Sequence, residues 1–237
     1  MQHRTIRGKI RYAFESGEET GREWFTTTIH SDGGRTIRTL TEMDDRGVLR
    51  DATLTVDKNW YPLDCFARVV VHDRFVGTGW FRFTETVAEG EVYLADGGRI
   101  SQQWPLEKKV AIFGPHAVAN DVWQIAQVDR SRPGVIQSAG PRLWTSPLPD
   151  GGDGPLIGYG FRGTRELGVV DLVYVGQEEI TVPAGTFLCE HANVVRPGES
   201  EPIEFWATGE NLTFVRLRFP HLGQLYELVE FEDSGSD

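Results

Sequence analysis

The densest set of side chains able to move a proton lies in the run Phe113-Gly114-Pro115-His116-Ala117-Val118-Ala119-Asn120-Asp121-Val122-Trp123. Pro115 suits a first helical turn, where its missing N–H is not needed. A helix over Pro115–Val128 then puts His116, Asn120 and Trp123 on adjoining turns of one face. A histidine at the positive end of a helix is held in its neutral, basic form. That is the form that abstracts a proton at neutral pH. Asp121 lies about 140° around an ideal helix from His116, so the two meet only across a distorted first turn. The competing reading makes His116 a turn cap and gives Asp121 an arginine partner at the surface.

A second group runs from Trp60 through Tyr61-Pro62-Leu63-Asp64-Cys65-Phe66-Ala67 to Arg68. After the bend at Pro62, Asp64, Phe66 and Arg68 share one strand face and Cys65 takes the other. A carboxylate and a guanidinium two residues apart can brace each other or anchor a ligand, and Tyr61 can donate to a developing oxyanion. The plainer account is a surface ion pair beside an aromatic corner, with Cys65 packed as a small hydrophobe. Trp60, Trp80, Phe83, Tyr93, Trp104, Trp123 and Trp206 are the candidates to line a cavity, unless they only fill a core.

Other chemistries lack the residues they need. Six histidines (His3, His30, His72, His116, His191, His221) are scattered without metal-ligand spacing, and no Cys-x-x-Cys occurs. Cys189 and Glu190 flank His191, but strand neighbours point to opposite faces, so His191 cannot join both. No phosphate loop, dinucleotide fingerprint or nucleophile elbow is present, so no metal or cofactor is expected. The 35 acidic against 24 basic residues give a net charge of −11, which repels nucleic-acid phosphates and anionic membranes. With no apolar signal core at the N-terminus and only two cysteines, the expectation is a reduced, cytoplasmic protein.

The elements that must position these groups are strands. Ile6, Gly8, Ile10, Tyr12 and Phe14 share a parity, which is the period of a half-buried strand. Trp24–His30, Thr36–Met43 and Leu49–Val56 continue the pattern between turn residues such as Asp32-Gly33-Gly34, and predict a meander. Phe66–Val71, Gly79–Val87, Glu91–Ala95 and Arg99–Trp104 add four strands. Pro141–Gly163, rich in proline and glycine, reads as a long loop. Leu167–Tyr174, Glu178–Val182, Thr186–Val195, Ile203–Ala207, Thr213–Phe219 and Gln224–Phe231 complete the set.

Within that last third, Ile180-Thr181-Val182-Pro183-Ala184-Gly185-Thr186-Phe187, then Phe205-Trp206, Leu212 through Val215 and Tyr226-Glu227-Leu228 form a recognisable succession. It resembles a bacterial family of unknown function whose fold is similar to the half-open β-barrel of periplasmic lipoprotein carriers. The resemblance implies a curved antiparallel sheet around a hydrophobic ligand. It carries no catalytic residue, because Pro183 and Gly185 shape a bend and Phe205-Trp206 packs a strand.

These readings combine into a mainly β fold. They predict a single strongly curved antiparallel sheet or half-open barrel, with one helix and a long loop across its opening. Residues 1–232 form the domain and 233–237 a polar tail. The first functional expectation is a cofactor-independent lyase or isomerase acting on a small aromatic or apolar molecule. There His116 is the base, Asp121 or Asp64 its partner, and Tyr61 or Arg68 the charge stabiliser. The alternatives are a non-catalytic carrier of such a molecule, and a structural protein that pairs through a sheet edge.

Overall fold

Strands form wherever the chain alternates polar and apolar residues, and in the computed structural model they join one sheet. The structure describes residues 3–145, 168–195 and 200–235. The first wing is a meander of β1 (Arg4–Phe14), β2 (Glu19–Ile29), β3 (Arg35–Met43), β4 (Val48–Val56), β5 (Pro62–Val71), β6 (Arg74–Phe83), β7 (Val87–Leu94) and β8 (Gly98–Pro105). The second contains β9 (Ile112–Gly114), β10 (Ile136–Trp144), β11 (Gly168–Val182), β12 (Gly185–Val195), β13 (Ile203–Thr208), β14 (Thr213–Phe219) and β15 (Gln224–Asp233). The two wings meet where β1 pairs with β15, so the order runs from β8 through β1 and β15 to β9.

This order forces the sheet to curl. Fifteen strands about 4.8 Å apart would span roughly 65 Å if flat. The edge strands β8 and β9 are joined by residues 106–111 alone, a connection that reaches at most about 25 Å. Register shifts at Lys9/Ile10, Tyr12/Ala13, Thr55/Val56 and Val69/Val70 supply local bends. At Gly21 a side chain would overlap the Glu42 carbonyl oxygen on β3, so only glycine permits that approach. The sheet stays open between β8 and β9.

Among the described residues, every strand pairing is antiparallel except β9 with β10, which is parallel. A parallel pair needs a crossover of a dozen or more residues, and residues 115–135 provide it. That crossover lies against the inner face of the sheet, where Val118, Ala119, Val122, Trp123 and Ile125 are buried. The predicted helix over Pro115–Val128 shrinks there to α1 (Val118–Asp121), continued by a 3-10 segment, Val122–Gln127. Neither could persist alone, since isolated helices shorter than about 12–15 residues are marginal in water.

Glu23 of β2 and Arg50 of β4 hold the start of the crossover. Glu23 is fully buried. Its Oε1 accepts from the Ala119 N–H at 2.8 Å, and its Oε2 from the Val118 N–H at 3.2 Å, the Tyr12 hydroxyl at 2.6 Å and the Thr41 hydroxyl at 2.7 Å. The buried Arg50 guanidinium donates to the His116 carbonyl. β2 thus caps α1 from across the sheet. Aromatic packing fills the space around it: Tyr12 stacks on Tyr226 at 4.2 Å, and Phe113 lies 5.1 Å from Phe81 and 4.8 Å from Phe83.

Several sequence expectations change at their boundaries; the strand expected at Gly79–Val87 is the end of β6 and the first residue of β7, and Glu91–Leu94 continues β7. Residues 141–144 of the expected loop belong to β10, and the remainder of 146–163 lies outside the described residues. The strands expected at Leu167–Tyr174 and Glu178–Val182 are one, β11, with a register shift between Tyr174 and Gly176. The tail begins inside β15, and Ser234 is bonded to Thr5 through both its backbone N–H and its hydroxyl.

Candidate functional site

Where the crossover faces β4 and the start of β5, a cleft remains. Leu54, Val56, Pro62, Phe113 and Trp123 supply its apolar wall, Trp60 its rim, and Asn120, Asp121, Gln124 and Arg142 its polar groups. The water-accessible space of the cleft is about 20 Å³, room for about one water-sized group.

Local chemistry sets each wall. Asp57 Oδ1 accepts from the backbone N–H groups of Asn59 and Tyr61, which shapes the turn between β4 and β5. Its Oδ2 lies 3.1 Å from Lys109 Nζ, tying that turn to the connection between β8 and β9. Trp60 sits in the turn at φ +70°, a left-handed conformation unfavourable for a large side chain. Its ring meets Trp123 edge-on at 5.4 Å and is covered by the Arg35 guanidinium at 3.9 Å, contacts that offset the backbone cost.

The crossover brings in the polar end. Asn120 and Gln124 are four residues apart and only 4% and 3% exposed. Gln124 Nε2 donates to the Asp121 carbonyl at 3.0 Å. Among the described residues, its Oε1 and the Asn120 Oδ1 have no hydrogen-bond partner, an expensive state for buried acceptors.

Of the expected site residues, Trp60, Trp123 and Asp121 reach this cleft. His116 does not occupy a first helical turn; it precedes α1 at φ +62°. Its Nε2 lies 2.6 Å from the Thr145 carbonyl, which can only accept, so Nε2 carries the proton. Burial, then the nearby Arg50 and Arg142 charges, push its pKa down to about 4. The residue as a whole is exposed, and the neighbouring Arg50 and Arg142 charges disfavour a second proton on the ring. Burial and the two cations, rather than a helix dipole, hold His116 neutral and leave it a weak base.

Asp64, Phe66 and Arg68 do share a face, but it is the outer one; Cys65, Ala67 and Val69 are the buried set. Arg68 pairs with Asp51 at 3.8 Å instead of bracing Asp64. Tyr61 lies under Lys109, whose Nζ is 4.9 Å from its ring. Trp80 and Tyr93 face outward, 39% and 54% exposed, while Phe83 is packed in the core and Trp104 lies half-buried on β8. Trp206, on β13, stacks on His191 at 4.4 Å and donates to Glu178 at 2.7 Å. Cys65 is fully buried, and burial raises its thiol pKa well above the usual range.

Sequence reasoning passed over Gln124, Arg142, Glu23 and Arg50. A signal for Glu23 was present: it shares parity with Gly21, Phe25 and Thr27, and a carboxylate on a buried face must find partners.

The fold has counterparts among solved structures. A β-barrel-like protein from Brucella abortus, of a domain of unknown function termed DUF1849, matches over 98% of this chain and 97% of its own, with TM-score 0.53 and 11% identity. A provisionally described lipoprotein from Parabacteroides distasonis covers 96% of this chain and 94% of its own, with TM-score 0.30 and 10% identity. A provisionally described exported protein with a YmcC-like fold, from Bacteroides fragilis, covers 96% and 95%, with TM-score 0.32 and 8% identity. No family model and no curated protein matches the sequence. The first likeness shows a β-barrel-like fold across the chain, where the sequence resemblance was confined to its last third.

Proposed function

We propose that the protein binds a small apolar, ring-bearing molecule in the cleft between its crossover and β4–β5, and releases it unchanged. The observation that carries this reading is the edge-to-face pair of Trp60 and Trp123 over a wall of Leu54, Val56, Pro62 and Phe113, open to solvent. Flat ligands gain from both ring faces and buried apolar area. The water-accessible space of the cleft is too small for a ring, so the ring lies at its mouth, against the Trp60 rim.

The proton-transfer reading of the same side chains fares less well. Its base, His116, has Nε2 engaged by Thr145. Asp64 and Arg68 project from the opposite face of the sheet. Asp121 alone of the five proposed catalytic residues lines the cleft.

The test is a thermal-shift and NMR screen with small phenols and alkylbenzenes, since a ligand that binds only the folded state raises its melting temperature. Binders should shift the Trp60 and Trp123 indole resonances. Trp60→Gly should abolish that binding, and it keeps the turn because glycine accepts φ +70° without penalty. Trp80→Ala, on the outer face, should leave binding intact. No saturable binder, or binders indifferent to Trp60→Gly, would refute the proposal.

A further inference from the structure

The polar end of the cleft narrows the class of ligand, an inference that rests on the binding reading above. Gln124 Nε2 is committed to the Asp121 carbonyl, and this contact fixes which end of the amide is nitrogen. Oε1 is then an acceptor buried without a donor, and Asn120 Oδ1 is another. Both residues line the cleft, whose water-accessible space, about 20 Å³, admits one water-sized group.

We infer that the ligand is a neutral ring-bearing alcohol or phenol whose hydroxyl enters this end and donates to Gln124 Oε1. A hydroxyl also accepts, so it satisfies Asn120 whichever way that amide is turned. The alternatives fail on charge or on hydrogen. An ether or ketone brings no donor to Gln124, and a carboxylate only accepts and meets two amide oxygens. An ammonium would approach a cleft with Arg142 on its wall and Arg35 over Trp60, where the carboxylate, Asp121, already lies in the field of the buried Arg50. A buried charge without a partner is also costly.

Titration of the intact protein with 4-ethylphenol, 4-ethylanisole and ethylbenzene, by calorimetry and by NMR, tests this. The phenol should bind about tenfold or more tightly than the other two, because only it supplies the missing donor. In Gln124→Met, which keeps the length and removes the acceptor, that advantage should fall to within about twofold. Independently of any variant, the Gln124 side-chain amide resonances should move with the phenol and stay still with the anisole. Equal affinities for all three compounds would overturn the hydroxyl inference and leave the binding site standing. No binding by any of them would overturn the binding reading itself. A phenol preference that survives in a folded Gln124→Met protein, or a water retained on Gln124 beneath the bound phenol in a crystal, would also overturn the inference.

Discussion

Replacing Glu23 with alanine tests whether one carboxylate holds the crossover inside the sheet. The substitution removes the acceptor for two backbone N–H groups, Val118 and Ala119, and two hydroxyls, Tyr12 and Thr41. Each buried donor left unmet costs about 1–3 kcal/mol, less whatever entering water restores. The buried Arg50 also loses a compensating charge. The sum should resemble the breaking of a buried charged network, about 3–5 kcal/mol. A protein with about 5–15 kcal/mol in total would be left marginal. Urea denaturation at neutral pH gives the loss, and hydrogen exchange at Val118 and Ala119 locates it. Those amides should exchange faster than the β2–β3 ladder beside them. A variant within about 0.5 kcal/mol of the parent, or one with unchanged protection at both amides, would refute the capping argument.

Further outcomes follow from the same geometry. Burial raises the Glu23 pKa despite its donors. Its proton thus favours the folded state below the ordinary carboxylate range, and that contribution is lost as pH rises through the raised value; Glu23→Gln should remove this slope from the urea midpoint. His116, at about 4, behaves oppositely: its contribution is complete above about pH 6.5 and is lost as pH falls toward 4. His116→Asn should therefore flatten the urea midpoint between pH 7 and pH 4.5, by a modest amount because solvent screens an exposed ring; parallel curves would contradict it. Gly21→Ala should cost at least about 2 kcal/mol in chemical denaturation, since backbone on β3 blocks the added methyl. Arg68→Ala and Asp64→Asn should each change stability by less than about 0.5 kcal/mol and leave ligand titrations unaltered, as outer-face polar groups do.

The meander was legible because β4 alternates between buried and part-buried at every position and β2 and β3 do so over most of their length, so local pattern and tertiary placement agree. β9 and β10 were not. Ile112–Gly114 is buried at all three positions and shows no alternation, and Gly140-Pro141 inside β10 reads locally as a breaker. The helix start was misplaced for a related reason. Pro115 is a local signal, whereas the cap that decides the matter comes from Glu23, some ninety residues earlier. In the candidate site, Trp60 and Trp123 were found by residue type. Asp64 and Arg68 were assigned a shared face correctly, but which face meets solvent was encoded in Cys65, Ala67 and Val69 between them. Gln124 escaped notice because an uncharged amide gains meaning only once its surroundings are known.

The pairing of β1 with β15 bears on how the chain reaches this state. Arg4 and Asp233, partnered across that join, are 229 positions apart in sequence. The first strand must therefore wait with one edge bare while every later strand is made, and contacts so distant form slowly. Such a half-built sheet offers a template to any neighbouring chain. Misassembly during synthesis, more than fragility once folded, is the hazard this topology creates.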